Sequence, residues 1–457
     1  MDDEHALQNL AFDGAEIFIN EISVRLVVIP YKLQLRSAFG TSHSSSMFRV
    51  NALFVLLLNG EVGGVGEIGL PPKKRDCYEA DLEDCVSFAI SYWNSLNEAI
   101  QRGTCAECSP FQSLATKYFE KARTGGPLDS NLHRVMLQAL DHCPMSSSSF
   151  GRAGRSGVES CLIDSWARSR NVTVFSLLNL AKENRLHKSF YTAALNDSID
   201  FIVASARVGS HFTPNLKIKL NDSISFNKAI LRRLDEAFPS PHHGWWSIDA
   251  NCAWTPEIAM EMLTDVLMPF KPRIYMVEQP FPVDVCTTYR PEWIKVKEMY
   301  NASGINIFAD ESVRTWEDVA PLQLYANGVN IKLEKCGGYC GALRLVDEAT
   351  RCGVEVWFGC MVGSNLNSTA TAHLISLATE HGGSDLDGSI LVARSSMVFD
   401  GGFVYAKESG GIILPRISGV GVLPNKIFSE HMKGILDSSP AKQPYSSETI
   451  YACSCKI

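Results

Sequence analysis

The chain has 457 residues, more than one hydrophobic core usually supports, so we expect two domains. Apolar residues make up 46% and charged residues 20%, and a net charge of −8 without a basic block argues against a nucleic-acid-binding protein. The start MDDEH lacks a secretory signal, and the apolar run near Ala52–Leu58 is too short to cross a bilayer. We therefore expect a cytoplasmic protein without membrane contact, whose 14 scattered cysteines are reduced thiols.

The first part of the chain predicts strands followed by helices. Glu16–Ile29 and Val50–Leu58 have strand-rich compositions, and Asn59-Gly60 is a hairpin signal that makes Glu61–Ile68 the return strand. The helical patterns that follow lie at about Cys77–Glu98 and Ser113–Arg123. This order predicts a small α+β domain, which we assign to residues 1–150.

The middle of the chain alternates between strand and helix patterns. The Ser- and Gly-rich segment Cys143–Gly157 predicts a mobile loop or an inserted connection, and a helix follows at about Val158–Ser169. The predicted strands are Tyr191–Leu195, Leu216–Leu220, Trp245–Ile248, Ile274–Val277, Ile305–Ala309, Val329–Leu333 and Glu355–Gly359, and helices such as Ser223–Phe238, Pro256–Met268 and Gly341–Cys352 lie between them. Alternation implies a parallel sheet, and this many units favour a closed α/β barrel, assigned to residues 151–400.

The last part of the chain does not follow this alternation. After Asp387 the sequence turns to Gly-rich extended segments, and the tail from about Met432 is polar, which predicts poor order. We assign residues 401–457 to a separate C-terminal segment.

Single carboxylates follow three successive apolar strands of the predicted barrel. They are Asp249, Glu278 and Asp310. An ionisable group at a strand end is costly unless it is solvated, paired or bound to metal, and three carboxylates from neighbouring strands can supply oxygen ligands for Mg²⁺. Asn251 and Glu311 stand next to them and would orient these ligands. Each of these residues could equally cap a helix.

Lysines flank this series on the earlier and later strands. Lys217 and Lys219 point to one face, and two cations so close lower the pKa of at least one, which suits a base near neutral pH. Lys332 would approach from the other side of the barrel mouth, so that a substrate held between could lose a proton to one lysine and regain it from the other. The alternatives are a solvated edge strand and a pair between Lys332 and Glu334.

The motifs K-x-K, D-x-N, E-Q-P, A-D-E-S and K-x-x-K-x-G-G together resemble the enolase superfamily, muconate-lactonizing subgroup. The resemblance covers about Ile22 to Leu423, and PYKLQLRSAFGTSHS is similar to the capping loop of that family. It implies a modified TIM barrel, (β/α)7β, with an α+β capping domain to which the C-terminal segment returns. It also implies Mg²⁺ at the three carboxylates and opposed acid/base residues that stabilise an enolate with the metal. The lysines concerned are Lys219 and Lys332 as the acid/base pair and Lys217 as the neighbour that tunes Lys219 and contacts substrate.

The segment Ser384–Gly388 favours one of the reactions that the superfamily catalyses. It puts Asp385 and Asp387 on one face, where carboxylates would oppose a cationic group of the substrate. SDLDG resembles the eighth-strand motif with which dipeptide epimerases of this superfamily hold the α-ammonium group. The resemblance implies a Mg²⁺-dependent isomerase that epimerises a small-molecule substrate, a dipeptide, by 1,1-proton transfer at the C-terminal α-carbon.

Other chemistries of the same fold are alternatives. Cycloisomerases, o-succinylbenzoate synthases and N-acyl amino acid racemases share the lysines and the metal but do not need the Asp-x-Asp pair. A barrel without catalytic turnover is the alternative from another class, and the filled metal and lysine positions disfavour it. Gly363 stands where many relatives carry an acidic or larger residue, which predicts a wider pocket. The preferred dipeptide side chains stay open, as does the choice between a monomer and a homo-oligomer.

Overall fold

The computed structural model of the protein describes residues 6–40, 45–73, 77, 78, 80–102, 114, 117, 118, 129–143, 151–180, 187–239, 244–406 and 409–438. These residues form an antiparallel sheet with helices, a parallel barrel and a C-terminal segment. None of their helices is both long and apolar enough to cross a membrane. The predicted helix at Ser113–Arg123 lies largely outside the described residues.

The antiparallel sheet confirms the predicted hairpin. Its strands are β1 (Phe12–Asp13), β2 (Ile17–Ile19), β3 (Ile22–Gly40), β4 (Ser45–Leu58) and β5 (Glu61–Ile68), in the order β1-β3-β4-β5 with β2 also paired to β3. Asn59 and Gly60 join β4 to β5 with φ angles of 50° and 80°. A tight turn with two left-handed residues matches the twist of the paired strands, which explains the Asn-Gly sequence.

The helices of this part are Leu82–Arg102, Asp129–His142, Gly151–Ser169 and the short Val174–Leu177. The predicted loop Cys143–Gly157 is therefore wrong from Gly151 onward. Its glycines serve close packing: a Cβ at Gly154 would lie 2.5 Å from the Phe88 Cβ, and one at Gly157 would lie 2.1 Å from the Phe54 ring. Any larger residue would overpack these contacts, so the glycines let the helix lie directly on β4 and on the helix that carries Phe88.

Within the described residues, eight parallel strands form the barrel in chain order. They are β6 (Phe190–Ala193), β7 (Asn215–Lys219), β8 (Trp246–Asp249), β9 (Ile274–Glu278), β10 (Asn306–Ala309), β11 (Gly328–Ile331), β12 (Glu355–Gly359) and β13 (Ser384–Asp385). The helices between them are Ile199–Gly209, Ile224–Ala237, Pro256–Glu261, Pro291–Ala302, Val319–Leu322, Leu333–Cys336, Tyr339–Cys352 and Asn365–Ala372, with a π-helical turn at Met262–Leu267 and 3-10 turns at Met268–Arg273, Trp316–Asp318 and Ile375–Leu377. A parallel bridge from Ser189 to Ser384 joins the first strand to the last. The structure thus confirms the (β/α)7β barrel.

The barrel interior is filled by layers of inward-facing side chains. One of them, the apolar layer, consists of the buried side chains of Phe190, Met276, Phe308 and Trp357. Met276 and Phe308 each stand two positions before a predicted metal ligand on the same strand path, so the apolar layer lies one step below the charged residues.

The C-terminal segment returns to the antiparallel-sheet part. Its strands are β14 (Phe399–Gly401), β15 (Val404–Tyr405), β16 (Ile412–Ile413) and β17 (Val422–Pro424), with a 3-10 turn at Arg394–Ser396 before them and a helix at Lys426–Ser438 after them. The helix shows that the prediction of poor order from Met432 is wrong up to Ser438, because Phe428 and Met432 bury an apolar face. The domain limits at residues 150 and 400 stay a prediction.

Two groups of hydrogen bonds tie this return to the first part of the chain. The Tyr31 hydroxyl donates to the Ser396 carbonyl at 2.8 Å, and Asp164 Oδ1 accepts from the Val420 amide at 2.7 Å. On the other side, the Ala393 amide donates to the Gln34 carbonyl at 2.8 Å. β3 is thereby fixed to the chain just beyond β13.

Candidate active site

A cavity of about 210 Å³ opens at the carboxyl ends of the barrel strands. Its barrel walls include the side chains of Thr192, Lys217, Lys219, Asn251, Glu311, Lys332, Asp385 and Asp387, and its other walls include Arg49, Pro71, Pro72, Lys73 and Tyr78 from the sheet part. Active sites of parallel barrels lie at this end because the loops after the strands converge there. The cavity therefore has a barrel floor and a wall from the first part of the chain.

The three predicted metal ligands come together at consecutive strands. Asp249 pairs in register with Glu278, and Glu278 pairs with Phe308, two positions before Asp310. All three side chains are buried. The sequence pattern therefore identified neighbours in space, although the residues are far apart in the chain.

Lysines contact each of these carboxylates. Lys219 Nζ lies 2.8 Å from Asp249 Oδ2, Lys217 Nζ 2.9 Å from Glu278 Oε1, and Lys332 Nζ 2.8 Å from Asp310 Oδ2. With the lysines in these positions, the part of the chain that the structure describes holds no ready group of three or more His, Cys, Asp or Glu side chains for a metal ion.

The donor set nevertheless fits a hard divalent cation. It consists of carboxylate oxygens on adjacent strands, which are the ligands that Mg²⁺ prefers. Glu278 Oε2 is buried without a well-formed hydrogen bond, and its charge partner is the Lys217 ammonium group at 2.9 Å, so this oxygen binds a cation. Burial raises the pKa of Glu278 to about 8 despite the nearby Lys217, so the lysines do not fully compensate its charge.

The other two carboxylates are stabilised as anions. Burial alone would raise the pKa of Asp249, but Lys219 and Lys217 lower it to about 2. Lys332 and Lys335 likewise outweigh burial and hold the pKa of Asp310 well below its usual range. The charges at this end of the barrel are strongly interdependent.

The prediction that mutual repulsion lowers a lysine pKa is wrong for Lys217. Burial acts in that direction, but Asp385, Glu278 and Asp249 outweigh it and raise the pKa well above its ordinary value. Burial is outweighed in the same way at Lys332, where Asp310 raises the pKa. The surrounding acids, rather than the neighbouring lysine, decide the charge of these ammonium groups.

Lys219 and Lys332 lie on opposite sides of the cavity. Lys219 ends β7 and Lys332 follows β11, which are four positions apart in the eight-stranded order, or half of the barrel. Both side chains line the same cavity. The structure thus brings together the two lysines that the sequence analysis assigned to opposite faces of a substrate.

The structure adds Lys335 to the site. Its Nζ donates to Oδ1 and the main-chain oxygen of Asp310 and, at 3.0 Å, to the Asn330 carbonyl. Lys335 therefore holds Asp310 from the side opposite Lys332. The motif K-x-x-K-x-G-G contains Lys335 and could have identified it as a site residue, but the motif does not indicate which of its two lysines faces the cavity.

Tyr78 from the sheet part also joins the site, and the sequence analysis missed it. Its hydroxyl donates to Glu311 Oε1 at 2.9 Å, and Asn251 Nδ2 donates to the same oxygen at 3.1 Å. Asn251 Oδ1 in turn accepts from Lys219 Nζ at 2.8 Å. Glu311 and Asn251, predicted to support the ligands, thus connect Tyr78 to Lys219. No sequence motif distinguishes this tyrosine.

The turns after the ligands are held in an uncommon backbone conformation. Asn251 and Gln279 have φ angles of 44° and 40°, which residues other than glycine rarely adopt. Gln279 Oε1 accepts from the Asp310 amide at 2.7 Å, and its Nε2 donates to Ser312 Oγ at 2.7 Å. The E-Q-P motif therefore fixes the neighbouring ligand loop, and such strain is typical of functional sites.

The aspartates of SDLDG line the cavity beside the lysines. Asp385 accepts from Lys217 Nζ at 2.7 Å and from Trp357 Nε1 at 2.6 Å. Asp387 accepts from the Thr192 amide at 2.5 Å, and burial raises its pKa to about 6. Trp357 is a further contact that the sequence analysis did not identify.

The prediction that Gly363 widens the pocket is wrong. Gly363 does not line the cavity, which is formed there by Cys360, Met361 and Val362. A Cβ at Gly363 would lie 2.8 Å from the Asn367 Cβ and 3.0 Å from Glu67 Oε1. Glycine at this position accommodates the packing of the loop against buried polar groups behind the cavity wall.

A closed parallel barrel whose strand ends present opposed lysines and three carboxylates, next to an antiparallel-sheet part, defines an enolase-like barrel protein. The sequence profile of the family described as Enolase C-terminal domain-like matches residues 202–426. An enolase superfamily member from Dictyostelium discoideum is 33% identical over 433 residues, which cover 90% of this chain and 98% of the relative. The chain belongs to the enolase superfamily.

Relatives with named activities include epimerases and an N-acetyl-D-glutamate racemase, the latter from Pseudoalteromonas sp. and 32% identical over 182 residues, or 40% of this chain and 51% of the relative. An L-Ala-D/L-amino acid epimerase from Maribacter sp. is 32% identical over 213 residues, or 47% of this chain and 56% of the relative. The dipeptide epimerase from Cytophaga hutchinsonii, solved with Mg and the dipeptide D-Ala-L-Val, shares the fold with a TM-score of 0.66 and 20% identity, covering 90% of this chain and 98% of that chain. The chain is thus an isomerase of the racemase and epimerase type.

Proposed function

We propose that the protein is a Mg²⁺-dependent dipeptide epimerase that inverts the α-carbon of the C-terminal residue. The observation that carries the proposal is the pair Lys219 and Lys332, which face one cavity from opposite strands of the barrel. Inversion at carbon by proton transfer requires a base on one face and an acid on the other. The epimerase relatives support the reaction type.

The residues that would hold Mg²⁺ are Asp249, Glu278 and Asp310. When bound, the ion supplies positive charge that stabilises negative charge developing on the substrate carboxyl group. In the structure, lysines contact all three carboxylates. A bound ion would take these carboxylates, so the ammonium groups of Lys219 and Lys332 would lose their anionic partners. Losing an anionic partner lowers the pKa of a lysine, which brings it closer to the range of a base.

The lysines would exchange roles between the two stereoisomers. For one isomer, neutral Lys219 removes the α-proton and Lys332 returns a proton on the opposite face, and for the other isomer the roles are reversed. Asn251 keeps Lys219 oriented through its 2.8 Å contact. The cavity wall from the sheet part, including Pro71, Pro72 and Tyr78, limits access of water to the reacting carbon.

The acidic pair Asp385 and Asp387 would attract the α-ammonium group of the dipeptide. Both side chains line the cavity, Asp385 at the end of β13 and Asp387 two positions beyond it, and Lys217 Nζ lies between Asp385 and Glu278. A buried carboxylate binds a cation strongly because little solvent screens the charge. This pair distinguishes a dipeptide from an N-acylated amino acid, which carries no such cation.

The experiment is an exchange assay in deuterated water with Mg²⁺ and libraries of L,L and L,D dipeptides, read by mass spectrometry. We expect one deuteron to enter the C-terminal α-position together with inversion, and chelation of the metal to stop both. The double variant K219A/K332A serves as the control for a contaminating enzyme. Absence of exchange throughout the libraries with Mg²⁺ bound would contradict the proposal, and exchange confined to N-acetylated amino acids would point to a racemase.

A further inference from the structure

A buried polar cluster lies behind the cavity wall, where the antiparallel sheet meets the barrel. Asn51 of β4 and Glu67 of β5 belong to the sheet. Ser364 belongs to the barrel, where it is the N-cap of the helix Asn365–Ala372. All three side chains are buried. Because buried polar groups are costly unless their hydrogen bonds are made, the contacts of this cluster fix how the two parts of the chain meet.

Glu67 holds a loop of the barrel, residues 360–364, which we call the wall loop. Three of its residues line the cavity, namely Cys360, Met361 and Val362. Glu67 Oε1 accepts from the Ser364 amide at 2.9 Å, and Oε2 accepts from the Ser364 hydroxyl. The Ser364 hydroxyl in turn accepts from the Leu366 amide at 3.1 Å. The carboxylate therefore lies at a helix N-terminus, whose partial positive charge favours a buried acid.

Asn51 joins the wall loop to the adjoining wall of the sheet part. Its Nδ2 donates to Glu67 Oε1 at 2.8 Å and to the Val362 carbonyl at 3.2 Å. Its Oδ1 accepts from the Leu70 amide at 3.0 Å, next to Pro71, which lines the cavity from the sheet part. One side-chain amide thus contacts the chain on both sides of the junction between the two walls.

A second cavity lies behind this junction. It has a volume of about 50 Å³ and shares three lining residues with the larger cavity. We call them the partition, and they are Pro71, Tyr78 and Met361. A Cβ at Gly69 would lie 2.5 Å from the Met361 Cβ, so the partition is in close contact with the chain after β5. Met361 has a cavity on each side, so packing alone does not fix its position.

We propose that Glu67 and Asn51 are positioning residues that hold the partition in place and thereby limit the size of the C-terminal side chain that the cavity accepts. The inference rests on the proposed function and concerns the specificity of the same site. Tyr78 of the partition lies 3.3 Å from Asp310 Oδ2, so the partition is next to the carboxylates proposed for the metal. The substrate residue at the metal is the C-terminal one, whose carboxyl group the ion would bind.

Selectivity kinetics test the inference. In Glu67→Ala, kcat/KM for L-Ala-L-Phe relative to L-Ala-L-Ala should rise by about fivefold or more, because even one methylene in a pocket changes discrimination by about tenfold. The kcat for L-Ala-L-Ala should change by less than about twofold, since Lys219 and Lys332 keep their contacts. Glu67→Gln keeps an acceptor oxygen for Ser364 and should retain most of the wild-type ratio.

Met361→Ala and Asp164→Ala provide the comparisons. Met361→Ala opens the partition directly and should raise the same ratio, and in that background E67A should add less than about twofold, because coupled residues are not additive. Asp164 is a matched buried carboxylate, since it accepts from the Val65 amide at 3.0 Å and the Val420 amide at 2.7 Å. It is not among the described residues that line the cavity, so D164A should lower the free energy of unfolding without changing the ratio.

Amide hydrogen exchange measures the same contacts without substrate. Exchange should become about tenfold faster or more at the Ser364 amide in E67A and at the Leu70 amide in N51A, since each amide loses its acceptor. If E67A does not fold, N51A still tests the inference. It leaves Glu67 bound to Ser364 and should shift the ratio in the same direction.

Two results overturn the inference. One is an unchanged ratio in folded E67A and N51A, which would make the cluster a structural joint only, and the other is an equal shift in D164A. If the wild-type protein racemises N-acetylated amino acids instead of dipeptides, the proposed reaction is wrong, and the ratio for N-acetylphenylalanine over N-acetylalanine decides the inference. A protein that acts on neither series contradicts both.

Discussion

Two neighbouring layers inside the same barrel have opposite chemistry. In the apolar layer, the rings of Phe190 and Trp357 lie with centroids 4.9 Å apart. One step toward the carboxyl ends, the interior holds buried lysines and carboxylates, and Lys217 alone contacts three acids. Side chains two positions apart on a strand point to the same face, so a step of two residues along a strand leads from the apolar layer to the charged one.

The two layers have different roles: the apolar layer stabilises the fold, and the charged layer carries the groups for the reaction. Burying aromatic side chains stabilises the fold through their large apolar area. Burying charges is costly even when they are paired, and the pKa of Glu278, raised to about 8, indicates that the compensation is incomplete. The apolar layer supports the fold so that the charged layer can keep groups arranged for a ligand rather than for stability.

The largest expected effect tests the charged layer. We expect K219A and K332A each to reduce kcat for epimerisation by about a thousandfold or more, since each removes one of two proton-transfer groups. Each variant should still exchange the α-proton of the isomer whose base it retains. Deuterium incorporation measured separately from the two isomers checks this asymmetry, and equal residual exchange from both would contradict opposed lysines.

The next effect tests the apolar layer. Replacement of Phe308 by Ala should lower the free energy of unfolding by about 3–5 kcal/mol, through lost transfer energy and the cavity that remains. Urea denaturation measures the change, and Phe18→Ala is the matched control, because Phe18 is 60% exposed and should change stability by less than about 0.5 kcal/mol. A loss of Mg²⁺ affinity in folded F308A as large as its loss of stability would show that the layers are not separate.

A pH series distinguishes the layers by titration. Burial raises the pKa of Asp387 to about 6 although the Thr192 amide opposes the shift, and the ionised form is needed to bind an ammonium group. The KM for the dipeptide should therefore rise about tenfold per pH unit below that value. F308A should keep this profile, because its layer contains no titratable side chain, and D387N should flatten it.

The raised pKa of Asp387 has opposite consequences for dipeptide binding and for the stability of the fold. Because the folded-state value of about 6 exceeds the ordinary value of 3.8, the contribution of Asp387 to stability is present at low pH and is lost as the pH rises through about 6. Acid should therefore weaken dipeptide binding without weakening the fold through this residue. A KM that stays constant from neutral pH to one unit below the Asp387 pKa would contradict its role.

The smallest expected effect concerns the sheet part. Tyr78→Phe removes the hydroxyl that lies 2.9 Å from Glu311 Oε1 and 3.3 Å from Asp310 Oδ2, and it should lower kcat/KM by about three- to tenfold, equivalent to about 1 kcal/mol. The variant should leave Mg²⁺ affinity and unfolding free energy nearly unchanged. A measurement of kcat/KM for matched dipeptides checks the size, and an effect as large as that of K219A would mean that Tyr78 takes part in proton transfer.

Much of the barrel and its site could be predicted from the sequence because both depend on short-range patterns. Apolar strands ending in Asp249, Glu278 and Lys332 repeat with helices between them, and parallel strands bring their ends together. The contacts of Lys335 and Trp357 could not be predicted, since they depend on which way a side chain turns within a crowded interior. The K-x-K argument failed for Lys217 because it considered only the adjacent lysine and not the acids on other strands.

The wrong predictions that concern glycine have a common physical cause. Glycine indicates a loop by its conformational freedom, but Gly154 and Gly157 are needed for their small size in a packed helix. Gly363 likewise reflects the packing behind the loop and not the volume in front of it. Composition does not distinguish these uses of glycine, because the difference lies in residues distant along the chain.

The residues that follow Asp387 are hydrogen-bonded to β3, so the segment proposed to bind the substrate is connected to the antiparallel sheet. The Arg36 amide donates to the Leu391 carbonyl at 2.9 Å, and the Ile390 amide donates to the Asp387 carbonyl at 2.8 Å. A ligand that contacts Asp387 therefore lies next to a turn whose following residues are hydrogen-bonded to β3. Slower amide hydrogen exchange at Arg36 and Ala393 on dipeptide binding would make these hydrogen bonds a reporter of occupancy remote from the reacting carbon.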